Sequence, residues 1–134
     1  MIYAVDSNII IRFIKKITKI VNRYELIIKN DINRIIIPPY VHYEIQRGFK
    51  YVPAAYKEGV YTNICARHEI GEMNLDVWER ASVIYADLRR SGYTVSDADI
   101  LIAAFCIVSD CTLATCNARD FENIGGLKFE DWDE

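Results

Sequence analysis

The 134-residue chain has no glycine-rich phosphate loop: it holds only six glycines, and GxGxxG, GxxxxGKS and GxxxxGKT are all absent. The usual backbone cradle for nucleotide phosphates is therefore missing. No CxxC pair occurs among the four cysteines, Cys65, Cys106, Cys111 and Cys116, and the two histidines, His42 and His68, lie far apart. That pattern argues against a structural zinc site, and the thiols are expected to be free and buried. Long apolar runs are lacking too. The longest, Ile100 to Val108, has nine residues and is too short to cross a bilayer, and no basic start followed by a small-residue cleavage site opens the chain. The expectation is a cytoplasmic protein with no membrane partner. Positive charge is also scarce, with 16 Lys+Arg against 19 Asp+Glu and a net charge of −3. An acidic balance argues against a plain nucleic-acid-binding module, because phosphates are bound by lysine and arginine. It remains compatible with an acidic pocket beside a separate basic stripe.

What is present suits a soluble globular chain: 51% hydrophobic and 26% charged residues, in a length that fits one domain spanning residues 1–134. Ile2 to Val5 reads as a short buried strand ending at Asp6. From Ser7 to Lys29 the pattern is helical, as one helix or two, with Ile9, Phe13, Ile17 and Ile20 on one face and Arg12, Lys16, Lys19 and Arg23 on another. Ile35 to Ile37 reads as a second strand stopped by Pro38-Pro39, which then open a helix with Val41, Ile45, Phe49 and Val52 inward. Val60 to Met73 is ambiguous, with a short strand near Glu69 to Glu72. Leu75 to Arg90 is a clear helix with Val77, Ala81, Ile84, Tyr85 and Leu88 inward, ended by Ser91-Gly92. Ser96 starts a helix whose apolar run must be buried on most sides. Cys111 to Thr115 is a fourth strand, Ala118 to Phe121 a short turn, and Leu127 to Phe129 an edge strand. Strands alternating with helices imply an α/β fold with a mostly parallel sheet covered on both faces.

In open parallel sheets, ligands bind beyond the carboxyl ends of the strands. Asp6 ends the first strand, Asp120 follows the fourth, Asp99 opens the buried helix, and Glu44 borders the core in the first turns of its helix. Several carboxylates can thus meet at one sheet edge, where oxygen ligands and negative charge suit Mg²⁺ or Mn²⁺. Each also has a plainer reading. Asp6 can be a helix N-cap, Ser96 to Asp99 a capping box, Asp120 a surface ion partner of Arg119, and Glu44 a solvated helix residue. The basic face of Arg12, Lys16, Lys19 and Arg23 is either a wet helix side or a track for an RNA backbone.

In order along the chain, four blocks resemble the PIN-domain family, and specifically its VapC-like toxin ribonucleases. Ile2-Tyr3-Ala4-Val5-Asp6-Ser7-Asn8 is similar to the family's hydrophobic strand followed by Asp-Ser/Thr-Asn/Ser, and Glu44 matches its helix glutamate. Asp99-Ile100-Leu101-Ile102-Ala103-Ala104 is similar to its Asp-x-x-Ile-Ala-Ala signature. Leu113 to Phe121 resembles its closing block, with Asn117 where many relatives carry aspartate. The resemblance implies a three-layer α/β/α sandwich on a five-stranded parallel sheet. It implies Mg²⁺- or Mn²⁺-dependent cleavage of RNA, with a structured RNA such as tRNA as the target. It also implies homodimerisation and inhibition by a VapB-like antitoxin. Asp6, Glu44 and Asp99 would hold the metal, with either Asp120 or Asn117 in the fourth position and with Ser7 and Thr115 supporting. Asp97 would be a bystander, since residues two apart on a helix point about 200° apart. Two alternatives stand beside this one: a non-catalytic scaffold of the same fold that binds RNA or protein, and a metal phosphohydrolase acting on small phosphate esters. For the latter no Asp-x-Asp motif follows the first strand.

Overall fold

The computed structural model describes residues 1–134. Five strands, β1 (Ile2–Val5), β2 (Arg34–Ile37), β3 (Glu69–Ile70), β4 (Thr112–Thr115) and β5 (Lys128–Asp131), form one sheet in the order β3-β2-β1-β4-β5. Every pairing is parallel. Six helices connect them: α1 (Ser7–Ile14), α2 (Thr18–Ile28), α3 (Pro39–Tyr51), α4 (Ala55–Arg67), α5 (Leu75–Arg90) and α6 (Asp97–Val108). Tyr3 to Val5, Ile35 to Ile37 and all of β4 are buried without a break, so consecutive side chains on opposite faces are covered. Helices must therefore lie on both sides of the central strands, which is the expected three-layer α/β/α sandwich. One cluster of 33 buried apolar residues runs through it. No helix is long and apolar enough to cross a membrane.

Several expectations are resolved or corrected. Of the two readings of Ser7 to Lys29, one helix or two, the structure has two, because Lys16 takes a left-handed φ of 60°. Its neighbour Ile17 donates its N–H to Arg12 O at 3.0 Å, closing a helix-ending reversal of the kind glycine usually supports. Ile17 consequently leaves the apolar face and is 44% exposed. The ambiguous stretch before β3 belongs to α4, and only Tyr61 and Ile64 of that helix are buried. Val52 lies beyond the end of α3 and Tyr85 faces outward, both exposed. Cys106, Cys111 and Cys116 are buried and unpaired, whereas Cys65 is only half-buried.

β3 is short, and its exit is held by Gly71, whose N–H donates to Ile37 O at 2.9 Å. A methyl on Gly71 would collide with the buried Phe105 ring, while one on Gly59 in α4 meets open space. Gly71→Ala is expected to cost about 1–3 kcal/mol through overpacking, and Gly59→Ala to stabilise by about 0.5–1 kcal/mol. Urea titrations of the two variants check both signs.

Candidate metal-dependent nuclease site

The strand order changes direction at β1, whose sequence neighbour β2 lies on one side and β4 on the other. The crevice beyond the carboxyl ends of β1 and β4 is where such a sheet binds ligands. Asp6 sits there, 5% exposed, immediately after β1, with its N–H donating to Ala114 O at 2.9 Å. Its side chain caps α1: Oδ1 accepts the Ser7 N–H at 2.8 Å, and Oδ2 accepts the Thr115 hydroxyl at 2.8 Å. The N-cap reading and the site reading of Asp6 are thus both satisfied by one carboxylate. Burial raises its pKa, hydrogen bonds from Thr115 and Ser7 oppose this, and the charge of Asp120 adds to the rise.

Glu44 comes from α3, on the edge of the core and partly exposed. Burial pushes its carboxyl upward, the charges of Asp6 and Asp99 push the same way, and Arg47 and the Ser7 hydroxyl pull it down. Asp99 stands in the first turn of α6, where its N–H donates to Ser96 Oγ at 3.2 Å. Burial, together with the charges of Asp120 and Asp6, lifts it to about 6 against a bonding Ser96. Glu44 therefore feels the charge of Asp6 and Asp99, Asp6 and Asp99 feel that of Asp120, and Arg47 is the cation set against Glu44. Asp97 is exposed on the same helix, as the helical repeat requires.

The fourth position is sharpened. Asp120, on the turn after β4, acts electrostatically on both Asp6 and Asp99. Asn117 is tied in through its backbone, whose N–H donates to Thr115 Oγ1 at 3.0 Å, and its side chain is exposed. Asp6, Glu44 and Asp99, whose upward shifts come from burial first and from neighbouring carboxylates second, fit a hard divalent cation, which would supply the missing countercharge. The side chains are not drawn into a closed three-ligand cage in this conformation. Repulsion between them disfavours such closure.

Asn8 closes the first sequence block, which gave it no role of its own. Its Oδ1 accepts the Cys116 N–H at 3.1 Å, and its Nδ2 lies 3.4 Å from Asp6 Oδ2 and 3.5 Å from Thr115 Oγ1. It links the ends of β1 and β4 across 108 residues of chain, a partnership no local pattern reveals. Thr115, 0% exposed, is the centre of this clamp. Thr115→Val removes the donor to Asp6 and strands the Asn117 N–H, at an expected cost of about 2 kcal/mol. Thr115→Ser should restore most of it in a urea titration, and equal stability of the Val and Ser variants would contradict the clamp.

The basic face of residues 12–23 does not form as one stripe. Arg12 reaches Asp133 at 2.9 Å, Lys19 donates to the Asp133 carbonyl, and Arg23 lies 3.3 Å from Glu130 and over the Trp132 ring. Lys16, in the turn between the helices, sits instead over Tyr56. Beside Glu44, a groove of about 280 Å³ between α1, α3 and α4 has an apolar floor that includes Ile11, Ile14, Ile45 and Phe49, with Lys15 and Lys57 at its rim.

A model of the PIN domain matches residues 3–127. The chain belongs to the PIN-domain family. Over the full length of both chains it is 31% identical to ribonuclease VapC2 of Rickettsia felis. Among solved structures it resembles a chain of the Rickettsia felis VapBC2 complex bound to a promoter DNA fragment, at a TM-score of 0.90 and 29% identity, covering 99% of this chain and 100% of that one. It also resembles a chain of the DNA-bound VapBC complex from Salmonella typhimurium, at a TM-score of 0.86 and 26% identity over 98% of each. The resemblance seen in the four sequence blocks is thus carried by the whole fold.

Proposed function

We propose that this PIN-domain chain is a metal-dependent endoribonuclease and the toxin of a VapBC-like toxin–antitoxin pair. The observation that carries the proposal is the meeting of Asp6, Glu44, Asp99 and Asp120, each brought from a distant stretch of sequence, at the switch point of the sheet. The likeness to a ribonuclease over the full chain supports the same reading. A scaffold without catalysis has no use for three carboxylates, Asp6, Glu44 and Asp99, held at raised proton affinity by burial and by neighbouring charge.

In this reading the four carboxylates hold Mg²⁺ or Mn²⁺. Such a cation, when bound, acidifies a water and neutralises charge on the phosphate under attack. The residues of the chain supply the rest. Thr115, Asn8 and the Ser7 N–H fix the orientation of Asp6, so its oxygens are set before substrate arrives. Arg47 restrains Glu44, and Ser96 restrains Asp99. The substrate is RNA, with a structured RNA such as tRNA as the target. The groove beside Glu44 suits a segment of a VapB-like antitoxin, which can bury apolar side chains there and shield the carboxylates. We further propose that residues 1–134 act as one domain and that two copies form the working unit.

The test is induced expression of wild type and Asp99→Asn, followed by sequencing of cleaved RNA ends. The proposal expects discrete new ends with wild type and none with Asp99→Asn. The same ends in both samples would remove it.

A further inference from the structure

A nuclease of net charge −3 must find cations for its substrate near the site it cuts at, and Arg12, Lys19 and Arg23 are engaged with the carboxyl-terminal segment. Another cation stands on α3, where Arg47 lies 4.0 Å from Glu44. Tyr40, Tyr43, Glu44 and Arg47 stand at spacings of three, four and seven from Tyr40, so they share one face of that helix. The Tyr40 and Tyr43 rings meet edge-on with centroids 5.5 Å apart, and the Arg47 guanidinium lies 5.0 Å from the Tyr43 ring centroid. Tyr43 remains 52% exposed and the Arg47 side chain 53% exposed, so neither is consumed by the core. Glu44, in the middle of this stripe, is within electrostatic reach of Asp6 and Asp99. The stripe therefore runs from the acidic site outward to a half-open aromatic ring and a guanidinium.

We infer that this face of α3 holds an unpaired nucleotide of the RNA strand next to the cleavage site, its base stacked on Tyr43 and its phosphate paired with Arg47. Two properties favour an unpaired strand over a duplex. Tyr43 is half-exposed, and an aromatic ring can stack only on a base that has left its partner. The Arg47 guanidinium beside that ring is also half-exposed and offers paired N–H groups to an adjacent phosphate. Tyr40 buttresses Tyr43 and limits its rotamers, which lowers the entropy lost when a base stacks. The inference rests on the ribonuclease reading and adds to it the residues, Tyr43 and Arg47, that hold the strand beside the acidic site.

Binding is measured in an Asp99→Asn background, so that the probe stays intact, with a short fluorescein-labelled single-stranded RNA and the same strand annealed to its complement. Tyr43→Ala is expected to weaken the single strand about tenfold. Tyr43→Phe, which keeps the ring, should stay within about twofold of the parent on the same grounds. Arg47→Ala should reduce the slope of log affinity against log salt by about 0.7. Duplex affinity should change less than single-strand affinity in Tyr43→Ala. Unchanged single-strand binding in Tyr43→Ala overturns the inference, and so does an equal loss for duplex and single strand. A change of oligomeric state in gel filtration, with RNA affinity unaltered, would assign the face to a contact between protein chains and overturn it as well. Failure of the ribonuclease reading is separately visible: wild type would then leave the probe intact, as Asp99→Asn does.

Discussion

Asp99→Asn is expected to lower RNA cleavage by about a thousandfold or more while making the metal-free protein more stable. The two effects have one cause. Asp99 is half-buried, and its neighbours Asp120 and Asp6 share its sign, so its carboxyl is lifted from 3.8 to about 6. A raised folded-state pKa means that the native chain binds a proton more tightly than the unfolded chain does. The associated stability is complete below about 3.8 and is lost as pH rises through about 6. In EDTA, lowering the pH from 7 to 5 should therefore stabilise wild type. For a half-exposed carboxylate the gain is about 1 kcal/mol after solvent screening. Asn keeps the backbone cap from Ser96 and removes the charge, so the variant should show the higher stability already at pH 7 and a flatter pH profile. Asp6 and Glu44 are shifted in the same direction and leave a residual slope. Single-turnover cleavage assays and urea titrations at the two pH values measure both halves. Loss of activity together with loss of stability would mean that Asp99 serves the fold, and the site assignment would fail.

Trp132→Ala should cost about 3–5 kcal/mol and lower the melting temperature by about 10 °C or more. Trp132 lies two residues from the end of the sequence, where side chains are seldom buried, yet it is 1% exposed. Its N–H donates to Thr115 O at 2.9 Å, which continues the β4–β5 ladder. Its ring meets Tyr3 edge-on at 6.3 Å and is covered by Arg23. Truncation would leave a cavity between β1, β5 and α2 that the surrounding strands cannot close. Trp78, 50% exposed on α5, is the internal control, and Trp78→Ala should stay within about 0.5 kcal/mol of wild type. Thermal and urea unfolding of the two variants make the comparison. A Trp132→Ala loss below about 1 kcal/mol would show that β5 frays independently of the rest of the sheet.

The parts of the fold legible in the sequence are those written in local chemistry. α5 was readable because an apolar face recurs every three to four residues and Ser91-Gly92 stops it, and the structure adds the Asn74 cap at its start. β1, β2 and β4 were readable as unbroken apolar runs, which in an α/β chain mark strands covered on both faces. α4 was not. It has no side-chain cap at Ala54 and buries only Tyr61 and Ile64, so its helical period is faint. Whether Ser7 to Lys29 was one helix or two stayed open, because a lysine, not a glycine, occupies the left-handed position between α1 and α2.

By itself the sequence determined which residues carry negative charge at the ends of apolar runs, and so that Asp6 and Asp99 were site candidates. It also determined that Asp97 and Asp99 could not both face one ion, since that follows from the helical repeat alone. Only the tertiary structure decided the rest. The strand order places β4 beside β1, and this brings Thr115 against Asp6, and Asp120 within electrostatic reach of it, from more than a hundred residues away. It distinguishes Asp120, which acts on two other carboxylates, from Asn117, which is bound through its backbone. It also turns Arg12, Lys19 and Arg23 toward the carboxyl-terminal segment and leaves Arg47 beside the site. The physical reason is one of range. Capping and periodicity act within a few residues, whereas charge repulsion and buried hydrogen bonds depend on which distant segments the sheet sets side by side.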